Sequence, residues 1–275
     1  MAERGKRMVI GSADELWKGS TRRGFLKMLG IGGTIVMLPG VFEACDALQP
    51  MTAPGSTTGG SGAVQLDLSN DFGILNYAYA LEQLEAAFYT AVAGSSAFSS
   101  FNAEQKEVFQ DLQNHEVIHR EFFKAALGSH AIGALALNTA TVSASLASTA
   151  TILKTAEAFE DLGVSAYNGA GKYLTDPTYL TLAGKIVSVE ARHAAAIRDM
   201  RDAMGVTGGD AAGTRFAGDT VVAPSGPYAG LDVKLEPSVV LSRVAATGFV
   251  STPVSVVNTP SKQGTPDQGP PSPTP

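Results

Sequence analysis

Cysteine is almost absent from this 275-residue chain, and Cys45 is the single one. An internal disulfide, a thiolate zinc knuckle and a rubredoxin-type iron centre all need more than one thiol, so any metal here must be held by oxygen and nitrogen. A run long and apolar enough to span a bilayer is also missing. The best candidate, residues 28–42, has about 15 residues where a spanning helix needs roughly 20, and Gly30, Gly32, Gly33 and Pro39 interrupt it. Basic charge is scarce too. Residues 1–44 carry seven Lys/Arg against four Asp/Glu, which leaves 13 basic and 22 acidic side chains for the remainder of a chain whose total is −6. A mildly acidic protein with no basic stripe repels phosphate backbones, which argues against a nucleic-acid partner and leaves metal cations and small molecules open.

What is present begins with TRRGFLK at residues 21–27, directly before the short apolar run. The pattern resembles a twin-arginine signal with Arg22 and Arg23 as the pair; the competing reading is an uncleaved membrane anchor. The resemblance implies export of an already folded protein by the twin-arginine machinery. The expected location is the periplasm or the outer face of the cytoplasmic membrane. Cys45 sits where a lipoprotein signal places the cysteine that receives lipid, although Phe42 and Glu43 depart from that pattern, so a lipid anchor and an incidental cysteine both stay open. Residues 46–66 are rich in Gly, Ser, Thr and Pro and suit a flexible tether. The expected division is a signal segment (1–44), a flexible linker (45–68), a four-helix bundle (69–205) and an irregular tail (206–275).

From Asp71 onward the pattern turns helical and strand-like alternation disappears. Leu75, Ala78, Glu82, Glu85, Tyr89 and Val92 recur at steps of three and four along a first helix. A second opens at Asn102 with Gln105 three residues on, the spacing of a capping box, and its stripe is Phe109, Leu112, Glu116, His119, Phe123 and Ala126, ending near Gly128. Residues 128–145, rich in Ala, Ser and Thr, are longer than a tight turn requires and suit a crossover. A third helix shows Leu153, Ala156, Glu160, Gly163, Tyr167 and Leu174. A fourth starts at Asp176-Pro177, a cap followed by proline at the first helical position, with Ala183, Ile186, Glu190, His193, Ile197, Met200 and Met204 on its stripe. Long link only in the middle, short links elsewhere: the expectation is an all-α fold of two helical hairpins packed as a bundle. Seven of the 14 prolines fall in the last 25 residues, so the tail is expected to be irregular, with a short helix near 237–246.

Carboxylates on apolar stripes are where chemistry is to be sought. NHEVIHR on the second helix contains Glu116-x-x-His119, and SVEARHA on the fourth contains Glu190-x-x-His193. Residues three apart on a helix face the same way, so each motif aims one carboxylate and one imidazole at a common point. The first and third helices align on LEQLEAAFY (81–89) and FEDLGVSAY (159–167), which equates Glu82 with Glu160 and Tyr89 with Tyr167. Four clustered carboxylates must be protonated or compensated, and two divalent ions would bring +4 against −4. Oxygen-rich ligation with one imidazole per metal suits iron first and manganese next. The expected roles are Glu82 and Glu160 as terminal ligands, Glu116 and Glu190 as bridges, and His119 and His193 as one nitrogen ligand each. Glu85 and Glu157 lie one turn away and compete for the terminal places, while Tyr89 and Tyr167 are either donors to these carboxylates or plain core aromatics.

These segments resemble the ferritin-like superfamily, in particular the exported ferritin-like domain family that includes plant desiccation-related proteins. The resemblance rests on DFGILNYAYALEQLEAAFY, NHEVIHREFF, FEDLGVSAYNGAG and VSVEARHAAAIRDM, within residues 71–205. It implies the bundle fold and metal binding rather than a particular reaction; the expectation drawn from the site is oxidation of Fe(II) or reaction with dioxygen or peroxide, in metal handling or protection from oxidative stress. A homo-oligomer is compatible with it. A non-catalytic envelope bundle with structural metal is the alternative. A third reading comes from His115-Glu116-x-x-His119, a literal zinc-protease motif, which gives no role to Glu190, His193, Glu82 or Glu160.

Overall fold

The computed structural model describes residues 62–207 and, apart from 224, 227 and 228, residues 221–260. Arg22, Arg23 and Cys45 lie outside the described residues. Four long helices carry the architecture: α1 (Asp71–Ala93), α2 (Ala103–Leu127), α4 (Thr149–Ala170) and α5 (Pro177–Ala203). Two shorter ones, α3 (Thr139–Ser145) and α6 (Pro237–Thr247), and two strands, β1 (Val64–Asp67) and β2 (Val254–Asn258), complete it. No helix among the described residues is long and apolar enough to cross a membrane.

Each long helix starts where its local chemistry satisfies the free N–H groups of the first turn. Asn70 accepts from the Gly73 amide at 3.1 Å. Asn102 and Gln105 form the reciprocal box, at 2.9 Å in both directions. Ser148 and Thr151 make a second box at the head of α4. Asp176 caps α5 through the Thr178 amide at 2.7 Å, with Pro177 at the first position. α1 and α2 form one hairpin, α4 and α5 the other, and the crossover between them contains α3 where the sequence suggested only a link.

The crossover is tied down by polar side chains of α1. Asn76 donates to the His130 carbonyl and accepts from the Ile132 amide, both at 2.8 Å, and Gln83 accepts from the Leu135 amide at 2.8 Å. These bonds hold a connection that itself lies exposed or half-buried on the bundle surface.

One expectation needs correction, and another is extended. The linker was expected to run to residue 68, yet β1 spans Val64–Asp67 and both Leu66 and Leu68 are buried against α1 and α4. The tail was expected to be irregular with one short helix; it also contains β2, which pairs in parallel with β1, with Val64 opposite Val254 and Leu66 opposite Val256. The expected short helix is α6. Leu235, just before it, enters the core and donates from its amide to the Ser165 carbonyl at 2.9 Å. Its own carbonyl lies so close to α4 that a Cβ on Gly169 would stand 1.7 Å away, so only glycine allows this approach.

The buried apolar residues fall into groups along the bundle. Leu84, Phe88, Phe109, Leu112, Ile152, Phe159 and Ile197 pack at one level, and Leu75, Tyr79, Phe123, Leu127 and Ile186 at another. Along α2 the order Leu112, Glu116, His119, Phe123 places the ionisable residues between these two apolar layers.

Candidate metal centre

Glu82, Glu116, Glu160 and Glu190 are fully buried, and His119 and His193 nearly so. They come from the middle turns of α1, α2, α4 and α5 and form two clusters. One consists of Glu82, Glu116, His119 and Glu190, the other of Glu116, Glu160, Glu190 and His193; in each, one ligand atom per residue lies within 4.8 Å of all the others. Glu116 and Glu190 belong to both.

The arrangement has a pseudo-twofold axis relating the hairpins. His119 Nδ1 stands 2.9 Å from Glu190 Oε1, and His193 Nδ1 stands 2.8 Å from Glu116 Oε1, each reaching across to the other hairpin. The next contacts repeat the pattern: His119 Nδ1 to Glu82 Oε2 at 3.4 Å, and His193 Nδ1 to Glu160 Oε2 at 3.3 Å. The tyrosines cross as well, since Tyr89 of α1 donates to Glu160 Oε1 and Tyr167 of α4 donates to Glu82 Oε1. Both tyrosines are therefore donors to the cluster as well as core aromatics.

Those two bonds leave a specific set of atoms. Glu82 Oε2 and Glu160 Oε2, both oxygens of Glu116 and of Glu190, and Nδ1 of His119 and His193 are buried without a properly oriented hydrogen-bond partner. Buried polar atoms left this way are costly, and so many converging on one point is what a cation site requires. Oxygen and imidazole donors of this kind fit a hard or borderline divalent ion.

Electrostatics give the same picture. Burial pushes the Glu82 carboxyl well above its ordinary range despite the opposing charge of His119. Burial likewise raises Glu160 to about 8 against the pull of His193. For Glu116, burial acts upward, but the close imidazoles of His119 and His193 outweigh it and hold the group at about 2. Burial acts downward on His193, but the charge of Glu160 and the close Glu116 carboxylate raise it to about 12. Without metal, then, protons compensate the cluster.

Two competing glutamates are placed elsewhere. Glu157 pairs with Arg201 of α5 at 2.5 Å, beside Arg198, which also binds Asp161. Glu85 is buried next to the centre but belongs to neither cluster; it lines a crevice with Leu84, Phe159, Gly163 and Val244 of α6. Its counterpart in the other hairpin is Gly163, where a Cβ would approach Glu85 Oε1 to 3.1 Å, so the missing side chain makes room for this fifth carboxylate. Burial raises Glu85 well above its usual range, and the neighbouring glutamates add to that.

His115 also belongs to neither cluster. It sits on the exposed side of α2 with Nδ1 2.9 Å from His193 Nε2. Burial, then the neighbouring His193 and His119, lower its pKa. The sequence raised His115 only as a zinc ligand; no motif signals that it meets the far side of another histidine. His130 lies in the turn after α2, stacked on Phe72.

Four long helices in two hairpins, each aiming a buried glutamate at one centre and two adding a histidine, define a ferritin-like bundle. Residues 70–203 match the family model described as the ferritin-like domain, and every residue of both clusters lies inside that match. No protein of curated function matches the chain.

Proposed function

We propose that this protein holds two metal ions, iron in first place and manganese next, in a dinuclear centre. Glu116 and Glu190 would serve both positions, Glu82 and His119 would complete one, and Glu160 and His193 would complete the other. What carries this reading is the set of orphaned atoms: two oxygens each on the shared glutamates, but one each on Glu82 and Glu160, whose other oxygen is occupied by a tyrosine. When bound, such a pair would supply redox chemistry in which Fe(II), as substrate, is oxidised to Fe(III) and dioxygen or peroxide takes up the electrons. The chain's own residues do the rest. Tyr89 and Tyr167 orient the terminal carboxylates, and the apolar layers above and below exclude bulk water.

Elemental analysis of protein from its native host tests the reading. Two iron or manganese ions per chain are expected, with consumption of oxygen when Fe(II) is added to the metal-free form. Two bound ions with no oxidation would indicate a structural site in a stress-protection bundle, and a single zinc would favour the protease reading.

The same proposal places the protein outside the cytoplasm, as an exported ferritin-like protein sent through the twin-arginine route. The motif at Arg22 and Arg23 supports it. Replacing both arginines with lysine is expected to strand the protein in the cytoplasm, and unchanged export would refute the route. Membrane fractionation of Cys45→Ala in the same cells decides whether a lipid anchor is present.

A further inference from the structure

The two halves of the centre are not equivalent, and the difference sits on the outer side of His193. Its Nδ1 faces Glu116, Glu160 and Glu190. Its Nε2 points the other way, to His115 Nδ1 at 2.9 Å, with the two rings within 8° of parallel. In the other half, the residue preceding the Glu-x-x-His motif is Val189, which offers neither donor nor acceptor. The pseudo-twofold relation that holds for the glutamates, the tyrosines and the ligand histidines therefore fails at this pair.

An imidazole that binds a cation through Nδ1 carries its remaining proton on Nε2, and that proton needs an acceptor if the ring is to be held in one tautomer and one orientation. His115 Nδ1 is placed to be that acceptor. Doing so puts its own proton on Nε2, on the exposed side of α2. From this arrangement we infer that His115 is a positioning residue for the ion position that contains His193, and that it makes this position the tighter of the two. The inference rests on the dinuclear reading above. It assigns to His115 a role different from direct ligation, because its Nδ1 is occupied by His193 and it shares no point with Glu116 and His119.

Cobalt(II) added stepwise to the metal-free full chain tests this, with absorbance and calorimetry reporting the two binding events. Wild type is expected to take two ions with separate affinities. His115→Ala is expected to weaken one event by about 10- to 100-fold, the usual cost of losing an outer hydrogen bond to a ligand histidine. The event affected should be the one that His193→Ala abolishes. A second readout needs no metal. The chain has four histidines, so their ring nitrogens are resolvable by ¹⁵N NMR, and His115→Ala should shift the His193 Nε2 signal while leaving that of His119 in place. Two events of unchanged affinity in His115→Ala, or equal weakening of both, would overturn the inference while leaving the dinuclear centre standing. Failure of wild type to take up two cobalt ions would instead overturn the dinuclear reading, and this inference with it.

Discussion

Replacing Glu116 or Glu190 with alanine is expected to empty both ion positions, whereas Glu82→Ala or Glu160→Ala should weaken only one. The reason is membership: Glu116 and Glu190 contribute to both four-residue clusters, Glu82 and Glu160 to one each. His193→Ala should likewise cost one position, and His115→Ala should still fill both when metal is in large excess. Each ion held at 1,000 times its Kd stabilises the folded state by about 4 kcal/mol. In a domain of this size that is on the order of 10 °C in melting temperature. Loss of metal in the Glu116 and Glu190 variants should therefore appear as a large drop in the melting temperature of metal-saturated protein. The zinc-protease reading orders the variants differently, with His115→Ala emptying the site and His193→Ala leaving it loaded. Metal content and melting temperature measured side by side for these variants decide between the two.

Metal-free protein should lose stability as pH rises from about 5 to 9, and the stabilisation gained from added metal should grow over the same range. Glu160 is raised to about 8, and Glu82 and Glu85 well above the usual carboxylate range. In the folded state these groups keep protons that the unfolded chain has already released, so their contribution is complete below the unfolded value and disappears as pH climbs through the folded one. His193, raised to about 12, acts in the same direction above its ordinary value. Glu116, held at about 2, has the opposite sign and loses its contribution only as pH falls toward that value. The metal-free form should thus be most stable in mild acid. Ions displace these protons on binding, so affinity rises with pH, and the metal-loaded form escapes the alkaline loss. Thermal melts at several pH values with chelator or with metal provide the measurement. A metal-free melting temperature that stays flat or rises toward pH 9 would show that the buried carboxylates do not hold protons.

Much of the centre is legible in the sequence because helical geometry is local. Two residues three apart face the same way whatever the helix packs against, so Glu116 with His119 and Glu190 with His193 declare themselves. The internal repeat adds Glu82, Glu160 and the two tyrosines. Caps are equally local, and the helix starts at Asn102 and at Asp176-Pro177 follow from residues within one turn.

Other features depend on what meets across the chain. β1 and β2 are four and five residues long, and their partners stand about 190 positions apart, as Val64 and Val254 do; neither carries enough alternation to announce a strand. Glu157 and Glu160 are one turn apart on α4, and from the sequence either could face the centre. The presence of Arg198 and Arg201 on the neighbouring helix draws Glu157 away. Glu85 and Gly163 occupy matching places in the repeat, but only the packing of α1 against α4 shows that one fills the space the other leaves. The sequence by itself determined which side chains each helix presents along one stripe, since 3.6 residues per turn sets that from within the helix. Only the tertiary structure decided which stripe faces which, and so which of the competing glutamates reach the centre, where the tyrosine hydroxyls point and what stands behind His193, because hydrogen bonds between hairpins depend on helix rotation and register that no single helix encodes.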